Sequence, residues 1–300
     1  LAVVVLFLIA QNVVGIVLAR LLGLNPLVGL LAGSITLSGG HGTGAAWGAV
    51  FSEKYGLHSA TELALACATF GLVLGGLVGG PVARFLMRRV ARSPGGEPGA
   101  DPGPFEAPGS VRLITAPAMI ETLALFSVCL LAGSQMAAVL KGGVLELPAF
   151  VCVLFVGVVL RNLMAALGWY QVFERCVSVL GNVSLALFLA MALMSLRLWE
   201  LATLALPMMV LLVCQTALMA GFAILVTFPA MGGNHDAAVV AAGHCGFGLG
   251  ATPTAIANMQ AVTDRFGPSP LAFLVVPMVG AFFIDIANAI VIKLALAVIG

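Results

Sequence analysis

Two short stretches of this chain carry the residues best suited to chemistry. The first, Ser38-Gly39-Gly40-His41-Gly42-Thr43-Gly44, sets two hydroxyls and an imidazole among four glycines. The second, Gly246-Phe247-Gly248-Leu249-Gly250, runs into Ala251-Thr252-Pro253-Thr254. There Thr252 is suited to an N-cap and Pro253 to the first helical position, so both stretches read as a loop followed by the start of a helix. A helix interrupted in this way leaves carbonyls of the preceding half and N–H groups of the following half without partners. The amide end attracts anions and the carbonyls attract cations. One such tip can therefore hold a charged solute and a counter-ion together. The competing reading is that the glycines only let helices approach closely, as in small-xxx-small packing.

Asp285 and Asn288 lie at i, i+3 on one helical face shortly after the second stretch, and their oxygens suit Na⁺ or, for the acid, a proton. Glu121, about eight residues into an apolar run, needs a partner or water. Asn162, Asn182, Gln215 and Thr216 are further polar groups in apolar runs. For each of these the alternative is an interhelical hydrogen bond, worth about 0.6 kcal/mol on average. His41 stands out from an ordinary core histidine only by its position, whereas His58 and His235 fall at the ends of apolar runs. There is no HExxH and no nucleophile beside a base, so nothing supports bond-making chemistry. The six cysteines stand singly in mostly apolar surroundings and read as packing residues.

The elements that must position these groups are membrane helices. Of 300 residues 61% are hydrophobic and 8% charged, with a mean hydropathy of +1.15, whereas soluble domains devote about a quarter of their residues to charge. A net charge of +1 without like-charge runs gives no reason to expect nucleic acid as a partner. Runs long enough for a hydrocarbon core of about 30 Å recur at 1–24, 63–83, 113–140, 148–166, 179–197, 201–228 and 270–292. Their hydrophobicity is continuous rather than alternating, so the fold class is all-α, a polytopic membrane protein. A Pro/Gly-rich linker at 93–112 separates the second and third runs. Arg84, Arg88, Arg89, Arg92 and Arg112 flank it and place it in the cytoplasm by the positive-inside rule.

Residues 25–54 and 236–264 each pair two apolar pieces too short to span around a glycine-rich centre. They are expected to be re-entrant, broken-helix hairpins whose tips line a cavity, since bare backbone is tolerated at membrane depth only there. At an offset of 211 Gly39 meets Gly250, Thr43 meets Thr254, and Glu53-Lys54-Tyr55-Gly56 meets Asp264-Arg265-Phe266-Gly267. The second copy, 113–300, has an odd number of spans and is therefore expected to be inverted relative to the first, whose remainder is 1–92. The offset also places the start of the first copy upstream of Leu1, so the chain is expected to lack about three N-terminal spans. Inverted halves with glycine-broken helices are the marks of a secondary transporter with its site near the midplane.

LLAGSITLSGGHGTGAAW (30–47), CATFGLVLGGLVGGPVARFL (67–86), ELPAFVCVLFVGVVL (146–160), VSVLGNVSLALFLAMALM (177–194) and AAGHCGFGLGATPTAIANMQAVTDRFGPS (241–269) closely resemble the bacterial sodium:glutamate symporter family. The resemblance implies a carrier of the bacterial inner membrane that takes up L-glutamate with Na⁺, needs no other cofactor, and works as a homodimer by an elevator-like movement. It maps the family's glycine-rich motifs onto Ser38, Gly39, Gly40, His41, Gly42, Thr43, Gly44, Gly248, Gly250, Ala251, Thr252 and Thr254 as substrate contacts. It implies ion contacts at Gly246 and Gly248, to which the spacing of Asp285 and Asn288 adds two candidate ion ligands outside those motifs. The rival readings are a carrier of another carboxylate, a Na⁺/H⁺ antiporter using Asp285 or Glu121, and, from a different class, a channel or structural membrane subunit. A channel should carry a continuous polar ring, and the sequence offers two isolated tips instead.

Overall fold

The computed structural model describes residues 1–57, 59–90, 114–140, 149–168, 170–194 and 204–299, and the described residues contain helices and no strands. The linker at 93–112, with Arg92 and Arg112, lies outside them, as does His58. Among the described residues five helices are long and apolar enough to cross a membrane: α1 (Ala2–Leu21), α4 (Ala60–Met87), α5 (Ala116–Leu140), α6 (Ala149–Ala166) and α8 (Ala205–Ala230). The apolar run expected at 179–197 corresponds to α7 (Glu174–Met194), and that at 270–292 to an interrupted pair. In this pair α11 (Pro270–Met278) passes through a π-helical stretch, Val279–Phe283, into α12 (Ile284–Ile299).

Between the long helices lie four short ones. Residues Pro26–Ile35 form α2, which Asn25 caps by accepting the Leu27 N–H through Oδ1 at 3.0 Å, with Pro26 in the first turn where its missing N–H is harmless. A turn leads to α3 (Gly40–Tyr55), which Gly56 ends in the left-handed conformation at φ +64°. Asn234 caps α9 (His235–Leu249) by accepting the Ala237 N–H at 2.9 Å. After a break at Gly250 and Ala251 the chain continues as α10 (Thr252–Phe266).

Packing divides the chain into two compact units, residues 1–100 with 196–300, and residues 101–195. This grouping follows contact rather than the boundaries of the repeat. In the first unit α9 is the centre: from Ala237 to Leu249 every side chain except Val240 is buried, which no surface helix could sustain. Val4 and Leu8 of α1, Ala83 of α4, Ala255 and Met259 of α10 and Val276 of α11 close around Val239, Ala242 and Phe247. A glycine stripe on α4 admits the broken segment. A methyl group at Gly71 would strike the Leu249 carbonyl, one at Gly75 would lie 3.2 Å from the Gly246 carbonyl, and one at Gly79 would strike Asn258. Asn258 instead donates through Nδ2 to the Gly75 carbonyl at 2.8 Å and locks α10 onto α4.

In the second unit α5 and α6 pair where Gly133 sits against the backbone of Val153, and most of their apolar side chains face outward. Such surfaces suit lipid contact. Glu121 belongs to this unit, where Tyr170 donates to its Oε2 at 2.7 Å, and Arg161 forms an exposed ion pair with Glu174.

Candidate functional site

The two interruptions lie next to one another. Gly40 opens α3 at φ +68°, a conformation that favours glycine, and a Cβ at this position would stand 3.4 Å from the Gly250 carbonyl oxygen. The starts of α3 and α10 are thus neighbours, each presenting first-turn N–H groups and the positive end of a helix dipole. Two adjoining helix N-termini attract an anion more strongly than one.

Side chains join the interruptions directly. Ser38 donates through Oγ to Gln11 Oε1 at 2.7 Å and lies 3.1 Å from the Gly248 carbonyl oxygen, while Gln11 Nε2 donates to that same carbonyl at 3.0 Å. Gly248 falls in the last turn of α9, where carbonyls lose their helical partners, so α1 and the first interruption supply what the α9 backbone cannot. Ser38 is buried, whereas His41 and Thr43 are half-buried and Gly42 is exposed, with open space where a Cβ would stand. His41 Nε2 is 3.0 Å from Thr69 Oγ1 on α4. Because Thr69 donates its hydroxyl proton to the Leu65 carbonyl at 2.8 Å, the imidazole acts as the donor and a neutral ring keeps Nδ1 as an acceptor.

The structure sorts the sequence-derived residues by role. Gly39, Gly44 and Gly246 sit against Thr43, Thr36 and the Ala255 backbone respectively, so close packing accounts for them. His41, Gly42, Thr43 and Gly44 lie in the first turns of α3 rather than in a loop, and the chain leaves the helical path earlier, at Gly33. Thr252 is not the N-cap expected of it. The extended Ala251 holds that place and Thr252 is the first helical residue, because its hydroxyl is drawn instead to the Gly280 carbonyl, to which it donates at 2.9 Å. That carbonyl lies in the π-helical stretch between α11 and α12. Thr254 is half-buried, its methyl group 3.6 Å from where a Cβ at Gly76 would stand.

Asn288 reaches the first interruption: its Nδ2 donates to the Ser34 carbonyl at 2.8 Å. Asp285, one turn earlier and half-buried, has no hydrogen bond or ion pair to either interruption among the described residues. Glu121 belongs to the other compact unit.

Sequence reasoning overlooked Gln11, Asn12 and Ser34. The first two stand side by side at the middle of α1, fully or almost fully buried, and Gln215 of α8 donates to the Gln11 carbonyl at 2.7 Å. An amide pair at the centre of a twenty-residue apolar helix was the available signal, of the same kind as Asn162, Asn182 and Gln215. His244 was also missed. It is buried on α9, 2.8 Å from Thr227 Oγ1 through Nδ1, and surrounded by Phe7, Phe222 and Phe247.

Comparison with known proteins identifies the family of the chain. The family model described as Sodium/glutamate symporter matches residues 1–268. The chain is similar to the sodium/glutamate symporter of Escherichia coli (strain K12), 66% identical over 297 residues that cover 99% of this chain and 74% of the relative. It is similar to that of Haemophilus influenzae (strain ATCC 51907 / DSM 11121 / KW20 / Rd), 56% identical over 297 residues, covering 98% and 74% respectively. No solved structure matches.

Proposed function

The chain belongs to the sodium/glutamate symporter family, and from this premise we propose that it couples the movement of L-glutamate across the bacterial inner membrane to that of Na⁺, with the adjoining breaks at Gly40 and Gly250 as the transport site. The observation that carries the assignment of the site is the contact between the breaks: Ser38 and Gly248 share a hydrogen bond, and α3 and α10 begin side by side. Glutamate carboxylates take the first-turn N–H groups and the hydroxyls of Ser38, Thr43, Thr252 and Thr254. Na⁺ takes backbone carbonyls and Asn288, and so offsets the desolvation of the anion.

The element boundaries support the repeat, whose second copy the odd number of spans would invert. At the offset of 211, Gly40 and Tyr55, the ends of α3, fall on Ala251 and Phe266, within one residue of the ends of α10. Ala60 and Met87, the ends of α4, fall on Leu271 and Val298, matching the α11 and α12 pair. In such an arrangement the two hairpins enter from opposite faces and an elevator-like movement of the first unit carries the site across. The outward-facing apolar helices of the second unit then meet lipid or a second copy in a homodimer.

Labelled L-glutamate uptake into proteoliposomes tests the reading. Accumulation is expected with an inward Na⁺ gradient and is expected to collapse when K⁺ replaces Na⁺. Accumulation that ignored Na⁺ and followed a pH gradient would overturn the symport reading, and flux that never saturated would favour a channel.

A further inference from the structure

Three buried polar side chains gather where the first interruption begins. At Gly33 the backbone leaves helical geometry, with φ −103° and ψ −135°, and brings Ser34 against α1. Asn12 Oδ1 accepts the Ser34 N–H at 3.0 Å, and Asn288 Nδ2 donates to the Ser34 carbonyl at 2.8 Å, so α1, α2 and α12 are tied together at one residue. Ser34 is 0%, Asn288 1% and Asn12 2% exposed. Despite that burial, Ser34 Oγ and Asn288 Oδ1 have no hydrogen-bond partner, and neither does Asn12 Nδ2. A Cβ at Gly33 would stand 2.9 Å from Asn12 Oδ1 and 3.4 Å from the Gln11 carbonyl oxygen, so two further oxygens face the residue next to Ser34, and a glycine there leaves the space beside them open.

Buried acceptors without donors are destabilising and rare, and an ion is one of the few things that satisfies several at once. All the acceptors here are hard, neutral oxygens, the ligand type of an alkali cation and not of a transition metal. Asp285 lies one helical turn before Asn288 on the same helix.

We infer that Asn12, Ser34 and Asn288 form a Na⁺ site, with Asn12 Oδ1, Ser34 Oγ, Asn288 Oδ1 and the Gln11 carbonyl as its oxygens. The inference rests on the symport reading and deepens it by giving the coupling ion a place apart from the solute. Ser34 lies four residues before Ser38, in the segment that leads to the first break, and Gln11, beside Asn12, holds both Ser38 and Gly248. Na⁺ seated here draws α1, α2 and α12 together and fixes the residues that in turn fix both breaks. Glutamate then meets an already ordered site, and Na⁺ raises its affinity without touching it.

The test is thermal unfolding of the purified protein in detergent, without glutamate, as NaCl replaces choline chloride at constant ionic strength, with KCl as the control. The wild type is expected to be stabilised by Na⁺ and much less by K⁺. Ser34→Ala removes one ligand and is expected to raise the half-maximal Na⁺ concentration about tenfold, the loss of one hydrogen-bond-sized interaction. Asn12→Asp keeps the acceptor for the Ser34 N–H, replaces the orphaned donor by an oxygen and adds charge, so it is expected to lower the Na⁺ requirement. A merely structural defect would not produce that change in the opposite direction, and Asn12→Asp remains informative if Ser34→Ala fails to fold. Na⁺ stabilisation unchanged in both variants overturns this site and leaves the symport reading standing. A wild type indifferent to Na⁺ overturns both.

Discussion

Ser38 and Gly248, 210 positions apart, meet through a hydrogen bond of 3.1 Å between the hydroxyl of the first broken segment and a carbonyl near the end of α9. Gln11 closes the triangle, accepting from Ser38 at 2.7 Å and donating to Gly248 at 3.0 Å. Each break is thereby held in a position that depends on the other, and a helix from outside both broken segments holds the pair. A solute bound at one tip cannot displace it without disturbing its counterpart.

The triangle makes the effects of its members interdependent. Gln11→Leu preserves shape but leaves Ser38 and Gly248 in a buried setting without their shared partner, which costs about 1–3 kcal/mol. Ser38→Ala removes a smaller part of the same network. A double-mutant cycle read by unfolding in detergent is expected to give a coupling of roughly 0.5–3 kcal/mol between the two substitutions. Strict additivity would mean that the contacts act separately.

Gly40→Val and Gly250→Val are expected to reduce glutamate uptake to background while leaving membrane insertion unchanged, for two different reasons. At Gly40 the backbone sits at φ +68°, which costs a side-chain-bearing residue roughly 1–2 kcal/mol and costs a β-branched one more. At Gly250 φ is negative, −148°, and the obstacle is space: a Cβ would lie 3.0 Å from Leu72 Cα and 3.1 Å from the Gly246 carbonyl oxygen. Uptake beside the amount of protein in the membrane fraction, for each variant, separates a transport defect from an insertion defect. Normal uptake in both would remove the breaks from the mechanism.

These glycines were legible in the sequence because glycine clusters inside apolar runs have few structural meanings, and the long helices were legible because lipid permits little except uninterrupted hydrophobicity. The adjacency of Gly40 and Gly250 was not, since an offset in the chain carries no distance in space. Nor was the part played by Gln11 and Asn12. An uncharged amide in a membrane helix is cheap enough to be structural, and only its burial and its partners distinguish it. Thr252 shows the limit of local rules: capping preferences favoured it at the N-cap, but the distant Gly280 carbonyl draws its hydroxyl away and shifts the helix start by one residue. The stripe of Gly71, Gly75 and Gly79 could be read as a packing face, but not as the face that receives α9 and α10.

Glu121 separates symport from proton exchange. Its carboxylate accepts from Tyr170, and it lies in the unit that contains neither break. Glu121→Gln keeps an acceptor for that hydroxyl while abolishing any proton-carrying role. Na⁺-driven uptake is expected to stay within about twofold of the wild type, a difference of under half a kcal/mol. Loss of uptake accompanied by an altered pH profile would make this carboxylate a carrier of protons.

Gly42 offers the most direct view of the solute. It lies in the first turn of α3, exposed, with no atom within 4 Å of where a Cβ would stand, so Gly42→Cys introduces a thiol without displacing a neighbour. In a background lacking the six native cysteines, a membrane-impermeant thiol reagent is expected to label it. Glutamate and Na⁺ together are expected to slow that labelling, because the solute held between the starts of α3 and α10 covers this face. Na⁺ alone, bound at Asn12, Ser34 and Asn288, orders the break without covering it and should change the rate far less. Ala257→Cys, exposed on α10 more than a turn beyond its start, serves as the control and should label at the same rate in every condition. Protection at both positions would point to a global change of conformation, and protection at neither would move the solute away from the helix ends.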